Sequence, residues 1–292
     1  MQPERFVTNT TMKTASEYRS LAWQDLRAMY RQSSLIMLVT MLVDMIAVSL
    51  LYGSYYWYNS TQSMSAALVT ILVGLAFVFT VGLLNYYMPV WFMSLVRKQP
   101  EPWYEAKTSY GRALLATLIM LIPSIVEEVV TLPVNMSDEP SPIALVVFMI
   151  LWLPMVLFNI WWTYAVSTTL PYRVYDDSNR SVWEAVKDNI AMMKGYKFKL
   201  FCVDFLVAVW PLLALYIMMM IMVVALAVVL VLSPGTSVTW IVVGMSVILF
   251  PLVLVIVFVT QPMLYFARAR FYNDLRAEQE PAVEEQPSAT DI

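Results

Sequence analysis

The sequence predicts an all-α polytopic membrane protein with six transmembrane helices and cytoplasmic amphipathic helices at the membrane interface. Three observations predict it. Of 292 residues, 60% are hydrophobic and only 13% charged; a soluble domain carries about twice that charge, and only a bilayer accepts so much apolar surface. Six apolar stretches, at 34–56, 64–94, 111–132, 143–170, 200–232 and 238–266, reach the roughly 20 helical residues that span a hydrocarbon core. Finally, all 18 Lys and Arg lie in alternate segments of the chain. Before the first span stand Arg5, Lys13, Arg19, Arg27 and Arg31, and between the second and third stand Arg97, Lys98, Lys107 and Arg112. Between the fourth and fifth stand Arg173, Arg180, Lys187, Lys194, Lys197 and Lys199, and Arg268, Arg270 and Arg276 close the chain. The connections at 57–63, 133–142 and 233–237 hold none. Because translocation of Lys and Arg is disfavoured, both termini are expected in the cytoplasm.

Residues 1–33 form a cytoplasmic segment without the apolar core of a cleavable signal peptide, so the first span is expected to act as an uncleaved insertion signal. Within it, 17–31 reads as an amphipathic helix with Tyr18, Ala22, Leu26 and Met29 on one stripe. The transmembrane domain at 34–276 carries Pro123, Pro154, Pro211 and Pro251 inside its apolar runs, and each removes a backbone hydrogen bond and favours a kink. A second amphipathic helix, 181–199, opens with a capping box, Ser181 and Glu184, and places Trp183, Val186, Ile190 and Met193 on one face. Trp103-Tyr104-Glu105-Ala106-Lys107 before the third span echoes Trp183-Glu184-Ala185-Val186-Lys187 before the fifth. The echo fits either a threefold repeat of interfacial helix plus hairpin or chance similarity. These segments are expected either to lie on anionic headgroups, with Trp103, Trp183, Lys194, Lys197 and Lys199 at the interface, or to pack on one another as a cap. The acidic tail at 277–292, with Pro281 and Pro287, is expected to be disordered.

Ionisable and amide groups inside spans are costly and mark candidate sites. Asp44 falls near mid-bilayer in the first span, with Asn85 and Asn159 at similar depths in the second and fourth. Asp204 is expected near the cytoplasmic interface, where Lys197 or Lys199 can neutralise it by snorkelling. With every cation assigned to the cytoplasmic side, Asp44 is expected to be protonated, hydrogen-bonded to a group such as Asn85 or Asn159, or facing water. Interhelical glue, a proton or cation site, and a lipid or substrate contact all remain open for it. Glu127 and Glu128 read as an external rim. Met218, Met219 and Met220 read as apolar packing. With no His and one cysteine, Cys202, neither a disulfide nor a metal or other cofactor site is expected, and catalysis has few groups to use. No basic excess favours nucleic acid.

The run Ala191-Met192-Met193-Lys194-Gly195-Tyr196-Lys197-Phe198-Lys199-Leu200-Phe201-Cys202-Val203-Asp204-Phe205, together with Glu17-Tyr18-Arg19 and Ala269-Arg270-Phe271-Tyr272-Asn273-Asp274-Leu275, resembles an uncharacterised bacterial integral membrane family called domain of unknown function 975. One departure is Leu153-Pro154-Met155-Val156, where that family carries Pro-Gly in a mid-chain span. The resemblance implies a six-helix protein of the bacterial plasma membrane and brings no activity with it. It singles out Lys194, Gly195, Lys197, Phe201 and Asp204, with Gly195 expected to end the amphipathic helix. On the charge layout, the leading expectation is a non-enzymatic, lipid-interacting scaffold or accessory subunit. Its partners would be anionic headgroups and a further protein or a second copy. The alternative is a small transporter or channel with a polar path near Asp44, Asn85 and Asn159.

Overall fold

A computed structural model describes residues 12–99, 103–135, 142–232, 250–251 and 253–279, with the backbone alone at 103–109, 132–135, 142–145 and 225–232. The connections at 136–141 and 233–237, the first half of the sixth predicted span and the tail from 280 lie outside these residues. The described residues contain ten α-helices, two π-helical turns, further helical residues at 250–251 and 253–255 ahead of the second turn, and no strand. The helices are α1 (Ala15–Ala28), α2 (Tyr30–Thr61), α3 (Met64–Arg97), α4 (Trp103–Met120), α5 (Ile122–Asn135), α6 (Pro142–Trp162), α7 (Leu170–Asp176), α8 (Val182–Met192), α9 (Lys197–Leu232) and α10 (Gln261–Gln279). Thr163–Ser167 and Ile256–Thr260 are the π turns, leading towards α7 and into α10.

Five of these stretches are long and apolar enough to cross a membrane, and α4 with α5, bent by 41° at Leu121, are long and apolar enough together. The chain is thus an all-α multi-pass membrane protein. The bend follows from Pro123, whose missing N–H leaves the Ile119 carbonyl without its helical donor. Pro89 does the same to the Asn85 carbonyl inside α3. Apolar side chains such as Leu42, Ile46, Leu72 and Ile221 stand on outer surfaces, as expected where lipid is the solvent.

The tight packing lies at the end of the bundle that carries the basic residues. There α1 buries Tyr18, Ala22 and Leu26 against α9 and α10, so three members of the predicted stripe face protein. Its start is fixed by a capping box that the sequence reading had not singled out. The Thr14 side chain accepts from the Glu17 N–H while the Glu17 carboxylate takes the Thr14 N–H, satisfying two orphan donors. The predicted Ser181–Glu184 box forms at α8, and Gly195, at φ +88°, makes the left-handed turn after α8 that glycine allows without strain.

Two expectations change. Trp183 does not share the buried face of α8, which presents Val182, Ala185, Val186, Asn189 and Met192 to the bundle. At about 100° per residue, Trp183 sits a quarter turn round from Val182, and it is exposed. Nor is the segment before the third span a separate interfacial helix: α4 runs unbroken from Trp103 to Met120, since no proline or left-handed glycine interrupts it. The Trp103 side chain lies outside the described residues.

The keystone is α10. Arg270 grips Asp25 of α1 through two hydrogen bonds (2.7 and 2.8 Å), and Asp274 accepts from Lys13 (2.6 Å) and from the Tyr18 hydroxyl (2.9 Å). On its other side, Asn273 and Asp176 share Arg97 of α3 (2.6–3.0 Å), while Tyr272 and Arg276 also bond Asp176 at the end of α7. Bidentate charge-assisted bonds of this kind fix orientation as well as distance. Burial, reinforced by the Asp274 charge, pushes the Tyr18 phenol above its ordinary value, so it remains a hydrogen-bond donor.

Candidate functional site in the membrane interior

Three stripes at helical spacing converge in the middle of the bundle. α2 contributes Met37, Thr40, Met41, Asp44, Met45 and Val48; α3 contributes Val81, Leu84, Asn85 and Met88; the second π turn and α10 contribute Val257, Gln261 and Tyr265. Together they line a cavity of about 510 Å³. A π turn holds one residue more than an α turn, so it rotates the face that follows; such turns recur at functional sites. Here that face brings Gln261 and Tyr265 opposite Asp44.

Asp44 is the one carboxylate in this wall. It has no ion-pair partner among the described residues, and its Oδ1 atom is buried without a hydrogen-bond partner. Neither Asn85 nor Asn159 bonds it, so the expected glue contact is absent. An unpaired polar atom in a low-dielectric interior is expensive, which makes this side chain receptive to a ligand. Its neighbour Thr40 donates to the Ile36 carbonyl (2.9 Å) and lies 3.1 Å from the Met88 sulfur.

A second cavity of about 280 Å³ shares Asn85 and Tyr265 with the first and adds Gly82, Pro89, Thr117, Ser124, Thr163, Ser167, Thr168 and Arg268. Asn85 therefore stands between the two cavities with its side-chain amide and, because of Pro89, a backbone carbonyl freed from the helix ladder. The first π turn supplies Thr163 and Ser167, and Asn189 of α8 donates to the Ala165 carbonyl within it (2.9 Å). The buried face of α8 thereby reaches the wall of the site.

At the far side of the second cavity Arg268 meets Asp204 through two bonds of 2.8 and 2.9 Å. This corrects the expected partner of Asp204. Lys197 instead lies over the Trp161 ring, 5.1 Å from its centre, and Lys199 donates to the Met12 carbonyl (3.1 Å). Lys194 is exposed. The cause is the length of the last helix: it continues through Arg268 as one packed element, so a residue assigned by sequence to the surface segment is drawn into the bundle.

Of the sequence-predicted candidates, Asp44 and Asn85 share a cavity, and Asp204 closes the neighbouring one through Arg268. Asn159 lines neither; its side-chain oxygen accepts from Thr163 (3.4 Å). Glu127 and Glu128 are exposed, and no group of three or more His, Cys, Asp or Glu able to hold a metal exists among the described residues. Gln261, Tyr265, Pro89 and Arg268 were missed. The spacing Gln261-x-x-x-Tyr265-x-x-Arg268, one helical stripe in an apolar run, was the available signal.

No protein-family model, curated protein or solved structure matches this chain.

Proposed function

We propose that this protein is a small, non-enzymatic transporter or channel. Its polar site is Asp44 with Asn85, Gln261 and Tyr265, and it resides in a bacterial plasma membrane with both termini cytoplasmic. The carrying observation is the Asp44 carboxylate, unpaired and facing a cavity of about 510 Å³ inside the membrane-spanning bundle. Ionisable groups held at such depth characteristically line ion and substrate paths. The second cavity, reached past Asn85 and Tyr265, extends polar lining towards the basic end. The bend at Pro123 and two π turns supply interrupted helices of the kind from which such sites are built. Family membership in domain of unknown function 975 rests on the residues quoted above.

Lipid contact at the basic end is a second reading, favoured by the outward Trp23 and Trp183 and by Arg27 stacked 4.7 Å over the Trp23 ring. Such residues anchor helices in headgroups, and they serve a transporter equally well.

The test is access of water to position 44. In a Cys202→Ala background, Asp44→Cys in sealed vesicles is expected to react with a membrane-impermeant maleimide added from one side. Complete protection from both sides would remove the water path and leave lipid anchoring as the better account.

A further inference from the structure

We propose that the Asp44 cavity takes an amphiphilic organic monocation, an ammonium or phosphonium on an apolar body; this rests on the reading of Asp44 as a ligand-facing carboxylate. The charge follows from the wall. One carboxylate without a counter-cation repels anions, and a neutral occupant would leave its charge uncompensated. An occupant bearing a single positive charge removes that cost.

The apolar body follows from the rest of the lining. Met37, Met41, Met45 and Met88 surround the carboxylate on two helices, with aliphatic side chains beyond them. Unbranched thioethers rearrange around varied apolar shapes and are overused at promiscuous binding surfaces. Tyr265 also lines the cavity, and a weakly hydrated organic cation gains from aromatic contact. A hard divalent metal ion needs about six or more oxygen ligands at short distance, and a single carboxylate in a sulfur-rich wall does not supply them. At about 510 Å³ the space falls in the range of roughly 300–1,000 Å³ typical of small-molecule pockets, far above that of a bare ion.

The experiment is equilibrium binding of radiolabelled tetraphenylphosphonium to the full-length protein in phosphatidylcholine nanodiscs, with uncharged tetraphenylsilane as competitor. Saturable binding is expected, weakened at least tenfold in Asp44→Asn, retained in Asp44→Glu, and weakened in Met41→Trp, which fills the cavity with Asp44 intact. Tetraphenylsilane should compete poorly. Size-exclusion profiles identify any variant that fails to fold, and Met41→Trp then decides alone. Binding indifferent to both Asp44→Asn and Met41→Trp, or equal competition by the neutral compound, overturns the proposal. Maleimide labelling at position 44 without Asp44-dependent binding keeps the water path and removes the organic cation. Asp44-dependent binding without labelling keeps the ligand and removes the path.

Discussion

At the basic end, Arg97, Asp176, Tyr272, Asn273 and Arg276 share one hydrogen-bonded network, whereas along the α2–α3 hairpin Leu50, Tyr56, Leu68 and Leu72 turn outward with no protein to cover them. Both regions are helical, and they differ in what specifies the arrangement. Lipid is as apolar as leucine, so outward apolar side chains gain nothing by choosing one neighbour over another. Paired guanidinium and carboxylate groups have few satisfactory geometries, and these select the packing of α1, α3, α7 and α10. Asp44 lies between the two regimes: half-buried, with an Oδ1 atom that no protein group pairs.

The largest expected effect breaks the paired region. Arg268→Ala leaves Asp204, whose side chain is 8% exposed, without its cation, and removing one partner of a buried pair costs about 3–5 kcal/mol. Unfolding of the purified protein in detergent should register this, with much of it recovered when Asp204→Asn is added. Leu72→Ala, on the lipid-facing surface, should stay within about 0.5 kcal/mol by the same assay. Equal effects at the two positions would erase the distinction.

A smaller effect probes the close helix contact between the regimes. A β-carbon added at Gly82 would stand 2.2 Å from the Thr117 methyl group, which is branched at its own β-carbon and stiff. Gly82→Ala should therefore destabilise by about 1–3 kcal/mol through forced helix separation. Thr117→Ala removes that methyl and should relieve part of the loss, although it also gives up the 3.0 Å bond to the Gly82 carbonyl.

The smallest effect concerns α1. The Thr14 backbone N–H, the leading cause, and then the Thr14 hydroxyl hold the exposed Glu17 carboxyl below its ordinary value of 4.5. A depressed folded value means that the stabilisation is complete above the unfolded pKa and is lost as pH falls through the folded one. Amide hydrogen exchange in α1 should accelerate as pH is lowered below 4.5, relative to the same amides in Glu17→Gln. Parallel pH profiles for the two proteins would show that ionisation of Glu17 contributes nothing to holding α1.

The legible part of the site was the part written as a local anomaly. Asp44 and Asn85 stand out because polar groups in apolar runs are rare, and the cavity joins them. Asn159 gave the same local signal and faces Thr163 instead, because depth along a helix says nothing about its rotation against neighbours. The pairing of Arg268 with Asp204 escaped for a related reason. The two residues are far apart in the chain, and only the rotation of the last helix against α9 turns one towards the other.

By itself, the sequence determined the helical class, the succession of apolar stretches and the segregation of charge, because hydrophobic length and the cost of translocating cations act on each segment independently. It also determined the Ser181 cap and the Gly195 turn, which depend on neighbours a few residues away. Only the tertiary structure decided that α10 ties the basic end together, that Asp204 pairs with Arg268, and that Gln261 and Tyr265 face Asp44. Those outcomes depend on the relative rotation of helices far apart in the chain, and a 3.6-residue period alone leaves that rotation undetermined.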